Sequence, residues 1–151
     1  VQECGFAYDS SFIRFSDHPL YGAPKLKEFT PVDDLIYKRD GFYEFEIPTL
    51  KVCSKHIPIS GGGYYRLFPW PVFEVLFRRY SKEYDNFLFY VHPFELTAQQ
   101  VPLPAGISMA NRFRFSVGRK NNAAKLDRLL RYAIEQGHEF STMSDYIAKQ
   151  E

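Results

Sequence analysis

The sequence lacks several features that would assign it to a special class of protein. It has only two cysteines, Cys4 and Cys53, which are too few for a disulfide framework and are predicted to be buried thiols. It contains no run of about 18 apolar residues and no charged leader before an apolar stretch, so neither a transmembrane helix nor a signal peptide is predicted. The formal net charge of +1 gives no reason to expect a polyanionic partner, although charge can still be concentrated locally.

The chain is rich in aromatic residues, which make up 18% of its 151 residues. This length suits one domain with its own core. A large aromatic core is the simpler interpretation of any single ring, and a sugar-binding platform is the functional one.

Strands and helices are predicted to alternate, as in α/β domains. An antiparallel insertion around residues 32–59 includes a hairpin with a tight turn at Asp40 and Gly41, in which Glu44 and Glu46 are expected to face solvent. Helices are predicted from Pro71 and from a cap at Asn122. Strands are expected at residues 6–8, 35–37, 42–47, 50–53, 57–59 and 138–142, with a strand or extended arm at 111–118.

The most informative stretch is residues 87–96, FLFYVHPFEL. Its apolar run predicts a strand buried on both faces that stops at His92, because Pro93 cannot continue a ladder. Carboxyl ends of strands carry the sites of α/β folds, so His92 is a candidate proton donor or ligand. The alternative is a core histidine that bonds a loop carbonyl.

Five separated stretches resemble the NodB-like polysaccharide deacetylases, closest to the exosortase-associated branch, whose C-terminal part is a domain of unknown function. They are residues 5–11 (GFAYDSS), 61–67 (GGGYYRL), 90–96 (YVHPFEL), 111–115 (NRFRF) and 140–143 (FSTM). The resemblance implies an α/β fold that is the C-terminal half of a distorted (β/α) barrel. Residues 1–151 are then expected to form a single segment of a deacetylase domain.

The family's metal-binding motifs are missing from this sequence: a T-F-D-D strand end, an H-S/T-x-x-H-P segment and an R-x-P motif. The nearest imitation, residues 14–19 (RFSDHP), has arginine where the first ligand histidine should be. We therefore expect that the metal-binding half is absent, that no metal binds to this segment, and that the chain alone is inactive. The intact enzyme is expected to use a divalent metal, with zinc as the expected ion.

The resemblance also implies roles for individual residues. His92 matches the family's general acid, and Asp9 could be the carboxylate that orients it; Asp9 could equally begin an Asx-turn. Tyr64, Arg66, Gly62 and Gly63 could line a sugar cleft, or form a tight turn that packs a helix on the sheet.

Two weaker patterns carry little weight. Cys53-x-x-His56 has the spacing of metal ligands, but a structural zinc site needs four and no second pair is evident. The basic and aromatic residues at 112–115 are typical of nucleic-acid binders, which the near-neutral charge disfavours.

The predicted function is therefore part of a polysaccharide deacetylase, which hydrolyses N-acetyl groups on a cell-surface glycan. The alternative is a non-catalytic carbohydrate-recognition module. Expected partners are an N-acetylated polysaccharide and either the missing N-terminal half of the barrel or a second copy, with no nucleic acid and no membrane span. A prokaryotic protein of the cytoplasm or the envelope is expected.

Overall fold

The computed structural model describes residues 1–14, 26–97, 99 and 102–150 of the chain. The strands are β1 Tyr8–Asp9, β2 Thr30–Asp33, β3 Ile36–Arg39, β4 Phe42–Phe45, β5 Thr49–Val52 and β6 Lys55–Pro58. The α-helices are α1 Gly62–Leu67, α2 Trp70–Tyr80, α3 Met109–Ser116, α4 Asn122–Glu135 and α5 Met143–Ala148. Short 3-10 helices lie at Gln2–Cys4, Leu26–Glu28, Pro93–Glu95 and Arg119–Asn121.

The main sheet has the strand order β1-β4-β3-β2. The β3–β4 hairpin turns at Asp40 and Gly41, whose φ angles of 47° and 76° suit the tight turn predicted from Asp-Gly. Strand β1 pairs with β4 in parallel, with Asp9 opposite Glu44. Strands β5 and β6 form a separate antiparallel hairpin. Strands β2 to β6 are therefore linked by antiparallel pairing within each sheet, and β4 is also the parallel partner of β1.

Strand β4 is buried along its whole length, which corrects the prediction that Glu44 and Glu46 face solvent. Glu44 is 4% exposed and Glu46 is 1% exposed. The Glu44 carboxylate is compensated because Oε1 accepts hydrogen bonds from the backbone N–H groups of Ser11 and Phe12 at 2.9 and 2.8 Å. The period-2 pattern was correct, but the apparent polar face is covered by the chain that follows β1.

The largest core cluster lies where α1, α2 and α4 meet. Its buried members are Tyr65, Phe73, Phe77, Leu129 and Ala133. Edge-to-face ring contacts dominate, as between Tyr65 and Phe73 at 4.6 Å between ring centroids. The abundance of aromatic residues is therefore explained in large part by packing.

Residues 87–91 do not form the predicted buried strand. Phe87 and Phe89 pack on the α1–α2–α4 core, while Leu88 packs on the opposite side against the cluster around Tyr43 and Phe45, so the side chains alternate as in a strand. Within the described ranges, however, no backbone N–H of residues 87–89 donates a hydrogen bond, and these three side chains are only half-buried. The apolar pattern is that of a strand, but no strand in the described part of the chain pairs with this segment.

The strand or arm predicted at 111–118 is wrong, because α3 occupies Met109–Ser116. Ser108 caps this helix by accepting a hydrogen bond from the Asn111 N–H at 3.3 Å. The alternation of arginine and phenylalanine suggested a strand period, but Met109 and Phe113 also have the i, i+4 spacing of a helix face.

Three further expectations need correction. The cap of α4 is Asn121, and Asn122 is instead the first residue of the helix and fully buried. Residues 138–142 carry no strand assignment. Both cysteines are exposed free thiols, because each lies at the end of a short element rather than inside one.

None of the helices in the described part of the chain has the length and hydropathy needed to span a bilayer.

Candidate functional site

His92 lies at the end of the extended segment 87–91, where the Pro93–Glu95 3-10 helix begins. Its side chain is exposed, so the alternative of a buried core histidine is wrong. The imidazole lies between two aromatic rings, stacked with Phe94 at 5.8 Å and 13° and edge-on to Tyr90 at 5.8 Å and 75°. An accessible imidazole can donate or accept a hydrogen bond to a ligand at the surface.

Glu95 fixes the backbone at His92. Its carboxylate is almost fully buried, and Oε2 accepts a hydrogen bond from the His92 N–H at 2.9 Å. In the reverse direction, the Glu95 N–H donates to the His92 carbonyl at 2.9 Å. The two residues form a capping box around the 3-10 helix. The position of the histidine therefore depends on a carboxylate that solvent does not reach.

Arg66, on α1, neutralises this buried carboxylate. Its Nη2 lies 3.1 Å from Glu95 Oε1, and Nε donates to the same oxygen at 3.2 Å and to the Gly62 carbonyl at 3.1 Å. Nη1 donates to the carbonyls of Arg114 and Val117 at 3.3 and 2.9 Å. The predicted cleft residue is thus buried, and its guanidinium is used within the fold to join α1, the His92 turn and the end of α3.

The glycines of the GGGYYRL motif make room for this arrangement. A Cβ on Gly62 would lie 1.9 Å from Glu95 Oε2, and a Cβ on Gly61 would lie 2.7 Å from the Tyr90 ring. The Gly62 N–H also donates to the Tyr90 carbonyl at 2.9 Å. Gly63 is exposed and a Cβ there would have ordinary contacts. The first two glycines are therefore required by close packing against the YVHPFEL motif.

Helix α4 and the 3-10 helix before it hold the turn from the other side. Asn122 is fully buried and its Nδ2 donates to the Glu95 carbonyl at 3.0 Å. The Arg119 guanidinium donates to the carbonyls of Phe94, Thr97 and Gln99 at 3.1, 3.2 and 2.6 Å. Asn122 was predicted only as a helix cap, and its contact with the His92 turn could not be predicted from neighbouring residues; Arg119 was given no role.

Lys125 secures the C-terminal end of α1. Its Nζ donates to the carbonyls of Tyr65 and Phe68 and lies 3.9 Å from the centroid of the Tyr65 ring. Burial lowers the pKa of Lys125 to about 8. The helix that carries Arg66 is therefore held at its N-terminal end by the Tyr90 carbonyl and at its C-terminal end by this lysine.

Asp9 lies at the end of β1, half-buried. Its Oδ1 accepts from the Ser10 N–H and its Oδ2 from the Ser11 hydroxyl, both at 2.8 Å. These are the local bonds of the Asx-type alternative. Among the described residues, no hydrogen bond joins Asp9 to His92. Tyr64 is half-buried on α1, next to Gly63.

A second buried charge cluster lies at the C-terminal end of β4, against β3, and was not predicted. Tyr37 Oη donates to Glu46 Oε2 at 2.8 Å and accepts from Arg14 Nη2 at 2.8 Å. Burial raises the pKa of Glu46, and the Tyr37 hydrogen bond and Arg14 act in the opposite direction. Burial likewise raises the pKa of Glu44, against the lowering effect of its backbone hydrogen bonds.

The described residues do not provide a metal site. No group of three or more histidine, cysteine, aspartate or glutamate side chains in that part of the chain is placed to hold an ion. His56 Nδ1 pairs with the Thr49 hydroxyl at 3.0 Å, and Cys53 is exposed. Most of the RFSDHP stretch lies outside the described residues. The metal that the resemblance implies therefore does not fit the residues described, and no chemical step is derived through it.

Comparison with known proteins gives one positive match. The family described as Domain of unknown function (DUF3473) matches residues 10–148, so the chain belongs to this family. The match includes every predicted site residue except Asp9. No curated protein and no solved structure matches the chain.

Proposed function

We propose that this chain is part of a polysaccharide deacetylase and supplies the histidine that protonates the departing amine. The observation that carries the proposal is the convergence of two separated motifs on one exposed imidazole. GGGYYRL and YVHPFEL resemble signatures of NodB-like deacetylases, and they pack together through Gly62, Arg66 and Glu95 to position His92.

The chemistry of amide hydrolysis calls for such a group. The amine released from an N-acetyl sugar is a poor leaving group unless it is protonated, so a general acid beside the scissile bond lowers the barrier. His92 is accessible. Its backbone is held by the Glu95 carboxylate, which is buried and paired with Arg66. We assign Arg66 and Glu95 as positioning residues, and the aromatic rings of Tyr90 and Phe94 as surfaces on which a sugar can lie.

The role of His92 is tested by His92→Ala in the full-length protein, with an N-acetylglucosamine oligomer as substrate. We expect the chemical step to slow by about 10²–10⁴-fold, the usual contribution of a general acid. Metal content should be unchanged, because His92 is not assigned as a ligand. The matched control is His56→Ala, which removes a half-buried histidine of the β5–β6 hairpin and should retain full turnover.

Near-normal turnover of the His92 variant would contradict the proposal. If the full-length protein binds the oligomer but neither it nor any variant hydrolyses it, the alternative of a carbohydrate-recognition module is favoured.

We further propose that residues 87–89 and 139–141 contact the remaining strands of a barrel. Neither segment donates backbone hydrogen bonds to another described residue. Both line a cavity of about 450 Å³, whose apolar side chains include Phe45 and Phe140. An unpaired edge beside apolar surface is a site for strand pairing.

Hydrogen exchange tests this arrangement. Amides of Leu88 and Phe140 should exchange slowly in the full-length protein and rapidly in the isolated 151-residue chain, because only the former supplies partner strands. Equal protection in both, with the isolated chain sedimenting as a stable monomer, would show that the segment is a complete domain.

A further inference from the structure

Positive charge is concentrated in the stretch of chain that follows the His92 turn. Residues 96–126 contain five basic residues, Arg112, Arg114, Arg119, Lys120 and Lys125, and no acidic residue. The rest of the chain contains 14 basic and 18 acidic residues. A net charge near zero therefore conceals a positive segment within an otherwise acidic protein, and local charge of one sign attracts ligands of the other.

This basic segment is continuous with the His92 turn. The Phe94 ring that stacks on His92 also contacts Phe115 of α3 at 6.0 Å. The Arg119 guanidinium lies 5.9 Å from the centroid of the same Phe94 ring. A row of rings thus runs from His92 through Phe94 to Phe115 on α3, and the Arg119 guanidinium lies beside it.

The surface of α3 is open. None of its residues is buried, and the large apolar side chains Met109 and Phe113 are 79% and 61% exposed. Within the described part of the chain, the side chains of Arg112 and Arg114 form no ion pair and donate no hydrogen bond. The helix is nevertheless held in place, because the Arg114 and Val117 carbonyls accept hydrogen bonds from the buried Arg66.

We propose that this surface, formed by Phe94, Arg112, Arg114, Phe115 and Lys120, binds an acidic polysaccharide through the carboxylates of its uronic-acid units. Arginine pairs bidentately with carboxylates, and the apolar faces of sugar rings pack on aromatic side chains. A neutral glycan would use the rings but not the unpaired arginines. Sugar as the occupant rests on the proposed function; the requirement for negative charge rests on the surface itself.

The test is a binding measurement without turnover, made on the full-length protein by titration calorimetry. The anionic probe is a hyaluronan hexasaccharide, which alternates N-acetylglucosamine with glucuronic acid, and the neutral probe is chitohexaose. We expect the anionic probe to bind at least about tenfold more tightly, because two charge-assisted contacts are available only to it. This preference should weaken as salt is raised.

The decisive variant is Arg112→Gln/Arg114→Gln, which should reduce hyaluronan affinity about tenfold or more and leave chitohexaose affinity unchanged. The matched control is Arg78→Gln/Arg131→Gln, which removes two exposed arginines from α2 and α4 and should bind both probes as the wild type does. An unchanged unfolding temperature confirms that each variant is folded.

Three results would overturn the inference: equal affinity for the two glycans, an unchanged preference in the double variant, or tighter binding of a single-stranded oligonucleotide than of hyaluronan. The last would assign the surface to nucleic acid. Failure of the proposed function is distinct, since it would appear as retained turnover in His92→Ala with the preference for anionic sugar intact.

Discussion

Two ion pairs involve nearly fully buried glutamates, and they differ in how completely they are enclosed. In Arg66–Glu95 both side chains are excluded from solvent, at 4% and 2% exposure, whereas in Arg14–Glu46 the arginine is 43% exposed and the glutamate is 0% exposed. Nε and Nη1 of Arg66 both donate hydrogen bonds, and Nη2 lies 3.1 Å from Glu95 Oε1. Glu46 Oε1, although 2.8 Å from Arg14 Nε, has no well-directed hydrogen bond.

The comparison shows that a buried ion pair can hold a turn in place when both of its side chains are enclosed and hydrogen-bonded. Arg66–Glu95 connects three segments of the chain, and both of its side chains are enclosed. Arg14–Glu46 is reached by water from the arginine side, so its carboxylate responds to pH. The first pair therefore sets geometry at His92, and the second sets a pH-dependent part of the stability.

The largest expected effect comes from breaking the enclosed pair with Glu95→Gln. This change keeps the shape but leaves the Arg66 charge without a counterion in a buried site, so the free energy of unfolding should fall by about 3–5 kcal/mol. Urea denaturation measures it. Glu83→Gln, in the turn after α2, removes a carboxylate from the exposed pair with Arg79 and should cost less than about 1 kcal/mol. Similar losses in both variants would mean that enclosure does not matter.

A smaller effect is expected from Gly62→Ala, which perturbs the same pair by a steric clash and leaves both charges in place. The new methyl would lie 1.9 Å from Glu95 Oε2, so the carboxylate or α1 must shift, at about 1–3 kcal/mol. The adjacent Gly63→Ala is the matched control. A Cβ there is in ordinary contact, and alanine should stabilise the helix by about 0.5–1 kcal/mol. Thermal unfolding that ranks the two variants in the opposite order would contradict the packing account.

The smallest effect concerns the open pair and depends on pH. Because burial raises the pKa of Glu46, the folded state keeps this proton to a higher pH than the unfolded state does. The free energy of unfolding should therefore fall as pH rises from the ordinary glutamate pKa through the folded-state value. Glu46→Gln should remove this decline, so the wild type should lose stability relative to the variant across that window.

Urea denaturation of both proteins over a series of mildly acidic to neutral pH values measures this difference. Parallel stability curves would show that Glu46 has the same pKa in the folded and unfolded states. Exposed Glu83→Gln is again the control, and its free energy of unfolding should change with pH in parallel with that of the wild type.

The sequence predicted the local elements well where the signal was local. The Asp40–Gly41 turn, the strands predicted at 50–53 and 57–59, and the helix predicted from Pro71 all follow from neighbouring residues and have counterparts in the structure. His92 was identified from the proline that follows it and from a resemblance. What could not be predicted was which charges would be buried, because Glu44 and Glu46 owe their burial to a segment some thirty residues earlier in the chain.

The roles of Arg66 and Glu95 show the same limit. Both stood inside recognised motifs, and Arg66 was expected to face a sugar, but only the folded chain brings its guanidinium to a carboxylate 29 residues away. The helix at α3 was missed for a different reason, since the alternation of arginine and phenylalanine satisfies both a strand and a helix period over so few residues.

The span between Arg66 and Glu95 has a consequence for the order in which the chain folds. Neither charge can leave water before the other arrives, and the loop that joins them contains all of α2 and residues 87–91. Closure of that loop must therefore come first, at an entropic cost, and the pair is desolvated only after α2 has formed and docked. On this basis Glu95 should have a φ-value near zero, with its loss accelerating unfolding and leaving the folding rate almost unchanged.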